Sequence, residues 1–509
     1  MKLKDLIKGI AVRSWKGNLE VEVQGISYDS RKVKAGDLFV CISGTKDDGH
    51  NYVKQAGDRG AVGFLASREV EIEPEKALVV VDEPRAEMGK LASRLAGEPS
   101  KKMEILGITG TNGKTTISYL IEAISRAEGK ECGVIGTVSY RWKNQEIPAT
   151  NTTPESVEII NLLKSMQEDG VQRAVLEVSS HSLTQKRVAG IEFRAGIFTN
   201  LSPEHLDYHK DLEDYFQAKA RLFTEVLAGK WLLEPGLNQP ISLINLDDPY
   251  GRRLFQTAEG KRISYGISSP DAHYQAEILK MDWEGLELKI SSPKGDFLLK
   301  SKLVGRPNAL NLLASSAMML ELGTPIDKIQ AGIEALKKIP GRMEIIQGKN
   351  GLKVVVDYAH TPDALEKVLQ CLRELAPKRL LVVFGCGGDR DRSKRPKMGE
   401  ISARYGDLVI ITSDNPRTEH PLKIISEIEP GVKKVGMEKL KHFNSTSQGY
   451  LIEPERRKAI EIALELAGAE DCVLVAGKGH EDYQIIGEQK IHFDDREEVR
   501  KILGLNQEK

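Results

Sequence analysis

The stretch Ile105-Leu-Gly-Ile-Thr109-Gly-Thr-Asn-Gly113-Lys-Thr-Thr116 decides how this chain folds. An apolar run ends in a glycine loop, and a helical run, Ile117-Ser-Tyr-Leu-Ile-Glu-Ala-Ile124, follows. Strand, glycine loop and helix in that order make a phosphate cradle. Gly110 and Gly113 let the backbone turn so that successive N–H groups face an anion, and the helix N-terminus adds positive potential. Lys114 can reach the β- and γ-phosphates of a nucleotide, and the Thr115 hydroxyl can bind Mg²⁺. The general motif GxxxxGK[ST] wants its first glycine at position 108, which is Ile108. On these residues alone a glycine turn before an ordinary helix stays open.

The same rhythm recurs on either side of the loop. Ala174-Val-Leu-Glu-Val178 runs into Ser179-Ser-His181, and Ala195-Gly-Ile-Phe198 into Thr199-Asn200. Val354-Val-Val356 leads to Asp357-Tyr-Ala-His360, Leu380-Leu-Val-Val-Phe384 to a Gly/Asp/Arg cluster, Leu408-Val-Ile-Ile-Thr412 to Asp414-Asn-Pro-Arg417, and Val473-Leu-Val-Ala476 to Gly477-Lys-Gly-His480. Short apolar runs of this kind suit strands buried on both faces of a parallel sheet. Ligands of such sheets bind beyond the carboxyl ends of the strands, where these polar clusters fall. So many clusters indicate an enzyme more than a scaffold.

Length and composition narrow the class. A chain of 509 residues suggests about three domains at roughly 150 residues each. Gly97-Glu-Pro-Ser-Lys-Lys102 reads as a linker, and Pro340-Gly341 as a second joint. The expected units are residues 1–98, 99–338 and 339–509. With 73 basic and 74 acidic side chains, bulk charge argues against a nucleic-acid or membrane-surface binder. No secretory signal and no membrane span is expected. The five cysteines show no CxxC pair and read as buried small hydrophobes in a reducing cytosol.

Beyond the loop, Glu177-Val-Ser-Ser-His181, Thr199-Asn-Leu-Ser-Pro-Glu-His-Leu-Asp207, Asn308-Ala-Leu-Asn311, Pro340-Gly-Arg-Met-Glu344 and Asp357-Tyr-Ala-His-Thr-Pro362 come in a fixed order. With Thr109–Thr116 they resemble the motifs of the Mur ligase family, which includes folylpolyglutamate synthases. Asp29-Ser-Arg31, Asn151-Thr-Thr153, Gly385–Arg390, Asp414–Arg417 and Gly477–Tyr483 resemble the branch that adds the third residue of the peptidoglycan stem peptide. The resemblance implies a three-domain α/β fold. A small N-terminal α/β domain binds a UDP-sugar, a central P-loop ATPase-like parallel sheet binds ATP, and a Rossmann-like C-terminal domain binds an amino acid. The implied reaction is amide formation through an acyl phosphate, with Mg²⁺ and Lys114 offsetting the repulsion between carboxylate and γ-phosphate.

By the same resemblance, Glu177 and His205 are metal-linked, and Lys219 is carbamylated and helps hold a second Mg²⁺. From the residues alone a solvated carboxylate, a structural histidine and a snorkelling lysine stay open for the three. The ATP site takes Gly110, Thr111, Asn112, Gly113, Lys114, Thr115 and Thr116, with Asn308, Arg342 and Asp357 from farther along; Asn308 could equally be a helix N-cap. Tyr28, Ser30, Thr45, Lys46 and Asp47 match the uridine end of a UDP-N-acetylmuramoyl-L-alanyl-D-glutamate acceptor. Asn151, Thr152, Thr153, Ser179, Gln185 and Arg187 match its peptide end. Arg187 suits a carboxylate, or a surface ion pair.

The tetrad Asp414-Asn415-Pro416-Arg417 goes with meso-diaminopimelate in this family, helped by Arg390, Gly477 and Glu481. Diaminopimelate carries a second carboxylate that an arginine can pair and L-lysine lacks. A helix-start turn is the bland reading of the tetrad. The alternatives to weigh are an L-lysine-adding ligase of the same family and, from another class, a nucleotide-dependent binding module. The protein is expected to be a cytoplasmic monomer.

Overall fold

The computed structural model describes residues 1–44, 47–228, 239–348, 350–442 and 444–506. The chain builds three large sheets in sequence order. In the first, Val12–Gly17, Ala77–Val81, Gly63–Ala66, Asp37–Val40 and Gly25–Ser27 lie side by side, parallel except for the outer Val12–Gly17.

The second sheet has eleven strands. Its middle is parallel, in the order Cys132–Ile135, Arg173–Glu177, Glu104–Thr109, Ala195–Phe198, Ile241–Asn245, Lys261–Gly266. On one side Ser139–Trp142 and Gln145–Pro148 add antiparallel; on the other Tyr274–Asp282 joins parallel, and Gly285–Ser291 and Phe297–Ser301 follow antiparallel. The sequence reading of a parallel sheet holds for the interior only. At one edge Phe297–Ser301 alternates buried and exposed, and at the other Gln145–Pro148 is exposed throughout, which antiparallel strands tolerate.

The third sheet runs Glu344–Gln347, Lys353–Asp357, Cys472–Ala476, Leu380–Phe384, Leu408–Ile411, Gly449–Ile452, all parallel but the first pair. Five of its strands are buried along most or all of their length, which explains their continuous apolar runs. All five cysteines are buried, with their thiols pushed up to about 12 or beyond, chiefly by desolvation. Among the described residues no helix is long and apolar enough to cross a membrane.

Helix Lys114–Ala127 turns its apolar face, Ile117, Leu120, Ile121 and Ile124, onto the central core. Position 108 needs no glycine because the strand Glu104–Thr109 is still in progress there. Ile108 is fully buried and paired with Glu177 on one side and Ile197 on the other.

Candidate functional site

The loop after Thr109 is held by its neighbours rather than by itself. Thr111 N–H donates to the Asn200 carbonyl at 2.9 Å, Asn112 N–H to the Asn200 side chain at 3.0 Å, and Thr199 Oγ1 to the Asn112 carbonyl at 2.6 Å. Gly110 and Gly113 sit at φ of +143° and +91°, and a Cβ on them would overlap Thr199 Oγ1 and Asn311 Oδ1. Only glycine allows both the turn and the approach. Lys114 Nζ donates to the Gly110 and Thr111 carbonyls, both at 2.8 Å. Lys219, buried in helix Leu212–Arg221, donates to the same Gly110 carbonyl at 2.9 Å and lies 4.4 Å over the Tyr215 ring. Burial first, then the Lys114 charge, pushes the Lys219 amine far below the ordinary lysine range. Lys219 is therefore not a snorkelling surface lysine.

Glu177 ends the neighbouring strand and is buried. Its Oε2 accepts from Thr115 Oγ1 at 3.0 Å and Thr137 Oγ1 at 2.8 Å, and its Oε1 from Thr137 N–H at 3.2 Å. It is no solvated carboxylate. The same strand end carries the residues matched to the acceptor peptide. Thr137 Oγ1 meets Thr152 Oγ1 at 3.1 Å, Thr153 Oγ1 donates to the Glu177 carbonyl at 2.7 Å and lies 3.3 Å from Ser179 Oγ, and Asn151 is tied to the Tyr140 hydroxyl. Arg187 donates to Gln185 Oε1 and the Thr153 carbonyl and pairs with Glu155 at 3.1 Å. The ion-pair reading of Arg187 is thus realised here, in a half-buried setting. Farther out, Tyr28 bonds Glu158 at 2.6 Å and Ser30 bonds Gln55 at 2.6 Å, while Asp47 is exposed. Thr45 and Lys46 lie outside the described residues.

One cleft brings the loop together with Glu177, Asn308, Arg342 and Asp357. The Arg342 guanidinium stacks 4.5 Å over Tyr358 and donates to Thr115 Oγ1 at 3.3 Å. Asp357 accepts from the N–H groups of Met343 and Ala359 at 2.7 and 2.8 Å, and burial raises its pKa. Asn308 lies inside helix Arg306–Glu321, whose N-cap is Gly305; its side chain bonds the Val304 carbonyl and Asn311.

A second cleft gathers Arg390, Asp414, Asn415, Arg417, Gly477 and Glu481. Arg390 donates to the Asp389 carbonyl and Arg417 to the Gly388 carbonyl. Glu481 accepts from Asn415 at 3.0 Å and lies 3.7 Å from buried Lys478; burial and Asp414 raise its pKa. Buried Pro416 supports the turn. The tetrad is not a helix start, because the next helix begins at Pro421 with His420 as its cap.

The two clefts share a wall made of Glu204, His205, Tyr358, His360 and Thr361. Glu204 is 16% exposed, and its Oε1 lies 3.8 Å from His205 Nε2 and 3.9 Å from His360 Nε2. Those histidines, then Lys114 and Lys219, hold its carboxyl below the usual range against burial. Asp363 joins the halves of the molecule, accepting from Asn112 at 3.0 Å, Ser202 at 2.7 Å and Lys367 at 2.8 Å. Sequence reading assigned no role to Glu204, Thr137, Tyr358 or Asp363. Of eight non-glycine residues in the left-handed region among the described residues, four fall at or beside these clefts: His205, Met343, Asp389 and Arg417, with φ of +57°, +46°, +53° and +52°. Such backbone persists where packing imposes it, often at working sites.

A phosphate loop, a carboxylate at the adjacent strand end and a second cleft lined with arginine across a shared wall define a nucleotide-using α/β enzyme. Comparison with known proteins agrees. The chain matches the Mur ligase family catalytic domain over residues 22–95, the Mur ligase middle domain over 108–319 and the Mur ligase glutamate ligase domain over 341–479. It is 44% identical to the UDP-N-acetylmuramoyl-L-alanyl-D-glutamate--2,6-diaminopimelate ligase of Geobacter metallireducens, over 98% of both chains. It is 42% identical to that of Syntrophomonas wolfei, over 99% of both. A solved structure of a ligase with that name superposes with a TM-score of 0.70 at 32% identity, covering 99% of both chains. The MurF ligase of Thermotoga maritima in complex with ADP shares the fold, with a TM-score of 0.62 at 17% identity, over 94% of this chain and 97% of that one. The chain belongs to the Mur ligase family, and it is a three-domain, ATP-dependent ligase.

Proposed function

We propose that this ligase joins meso-2,6-diaminopimelate to the D-glutamate of UDP-N-acetylmuramoyl-L-alanyl-D-glutamate, in peptidoglycan precursor synthesis. The observation that carries the proposal is the pair of clefts with one wall between them. The nucleotide side holds Lys114 and Glu177, and the other holds two arginines that among the described residues donate only to carbonyls, beside an acceptor for an ammonium, Glu481. A zwitterion with an extra carboxylate satisfies that second cleft. L-lysine would leave Arg417 without an anionic partner.

ATP phosphorylates the acceptor carboxylate, held by Asn151, Thr152, Thr153, Ser179, Gln185 and Arg187. Asn308, Arg342 and Asp357 hold the nucleoside, and Tyr28, Ser30, Thr45, Lys46 and Asp47 the uridine end. Lys114 neutralises charge as carboxylate and γ-phosphate approach. Mg²⁺ suits Thr115 Oγ1 and Glu177, hard oxygens 3.0 Å apart. Among the described residues no three His, Cys, Asp or Glu side chains gather to hold a metal, so Thr115 Oγ1 and Glu177 are the residues that would hold the ion against the nucleotide phosphates. The ion supplies charge neutralisation at the γ-phosphate. The buried Lys219 amine is driven towards its neutral form, which adds CO₂: an N–C bond forms, a proton leaves, and a carbamate results. With His205 that carbamate is suited to a second Mg²⁺. We further propose domain limits near residues 98 and 338, a monomer, and a cytoplasmic location.

The test is inorganic phosphate release. It should require ATP, the UDP-sugar dipeptide and diaminopimelate together, and replacing diaminopimelate with L-lysine should lower kcat/KM at least about 100-fold, the value of a buried carboxylate partner near 3 kcal/mol. Equal rates with the two amino acids would overturn the assignment.

A further inference from the structure

The amino group that attacks the acyl phosphate arrives as an ammonium, and the shared wall holds one side chain set to deprotonate it. His360 Nδ1 lies 2.9 Å from the Tyr358 carbonyl oxygen. A carbonyl only accepts, so the neutral ring carries its proton on Nδ1 and presents a lone pair at Nε2. Nε2 is the atom nearest Glu204, at 3.9 Å, and His360 lines both clefts. The ring packs 4.6 Å from Tyr358. Side-chain exposure is 36%, enough for a substrate nitrogen to reach it.

We infer that His360 is the general base of the amide-forming step, taking a proton at Nε2 from the incoming ammonium. This inference rests on the ligase reading above. Nε2 accepts one proton, leaving a neutral amine and an imidazolium. The nitrogen lone pair forms the C–N bond to the acyl carbon while the carbonyl π pair moves to oxygen. That pair returns as the bond to phosphate breaks, and phosphate leaves with the bonding electrons. The second surplus proton on nitrogen passes to the departing phosphate, and the imidazolium returns its proton to solvent.

The charges around the ring fit the role. Glu204 and Asp414 favour the imidazolium, while burial and Lys394, whose Nζ donates to the His360 carbonyl at 2.8 Å, oppose it; His480 also faces the ring. The balance lowers the ring's pKa from its ordinary value, so the base is free at neutral pH. Activity that needs the free base is lost as pH falls through that pKa.

The test uses the full-length enzyme and two substitutions, His360→Asn and His360→Gln. Each is expected to lower the diaminopimelate-dependent kcat about 10²–10³-fold, with the KM for ATP unchanged, and to remove the acid limb of the kcat profile. Hydroxylamine, an amine already unprotonated at neutral pH, should intercept the acyl phosphate at the wild-type rate in both variants. An amide-forming loss below about tenfold, or an equal loss of hydroxamate, overturns the inference. If wild-type enzyme releases no phosphate with diaminopimelate, the ligase assignment fails instead.

Discussion

Asp495→Asn should unseat the amino-acid cleft without touching a residue that lines it. Arg456 and Asp495 are both fully buried, and the guanidinium makes two 2.7 Å bonds to the carboxylate. Its remaining N–H groups donate to the carbonyls of Ser413 at 3.3 Å and Ala476 at 3.0 Å, which directly precede Asp414 and Gly477. The amide isostere keeps the shape but leaves a buried cation without its counter-charge. That costs about 3–5 kcal/mol. A domain of this size shifts roughly 2–4 °C per kcal/mol, so its melting transition should fall by about 6–20 °C. The KM for the amino acid should rise at temperatures where the variant is still folded, since both anchored carbonyls loosen. The double variant R456M/D495L, which removes both charges, should recover much of the loss. Differential scanning calorimetry and phosphate-release kinetics read the two effects. A melting shift under about 2 °C for Asp495→Asn, or a double variant no better than it, would refute the reasoning.

Lys219→Ala should abolish turnover and regain part of it in short carboxylic acids, which can occupy the place of the carbamate. An alanine variant with normal turnover sinks that role. His181, ringed by His205, Tyr208 and His209, has its pKa lowered from 6.5 to about 4 by burial and then by the neighbouring imidazoles. Its contribution to stability is present above pH 6.5 and lost as pH falls towards 4, because the unfolded chain binds the proton first. His181→Gln should flatten the melting temperature between those limits, and an unchanged slope would count against it.

The linear sequence carries the strands and their ends well. Runs such as Leu380–Phe384 and Cys472–Ala476 are buried on both faces, so burial dictates their composition directly. The edge strands were not foreseen as antiparallel, because Gln145–Pro148, exposed throughout, has nothing to pack that would mark its composition. Glu204 stands in a segment whose neighbours drew notice, yet its partners Lys114, Lys219 and His360 are fixed only by folding. Asp363 looks like an ordinary acid in the first turn of a helix, and its bonds to Asn112 and Ser202 span 251 and 161 residues. Long-range pairing of this kind leaves no local periodicity to read.

The wall between the clefts belongs half to Glu204–His205 and half to Tyr358–Thr361, contributed by different sheets. Neither half owns the point where the new bond forms. Contacts that cross between the halves include those of Asp363 with Asn112 and Ser202 and of Arg342 with Thr115, while Gly341, at φ +61°, is so close to Gly479 and His480 that a Cβ would overlap them. Arg342, one residue past that glycine, reaches from this unit to Thr115 of the phosphate loop, so the backbone position of Gly341 bears on how the halves meet. Substitutions there should slow turnover and weaken ATP together, because the same glycine carries the backbone that aims Arg342 at the loop and accepts the Tyr358 N–H.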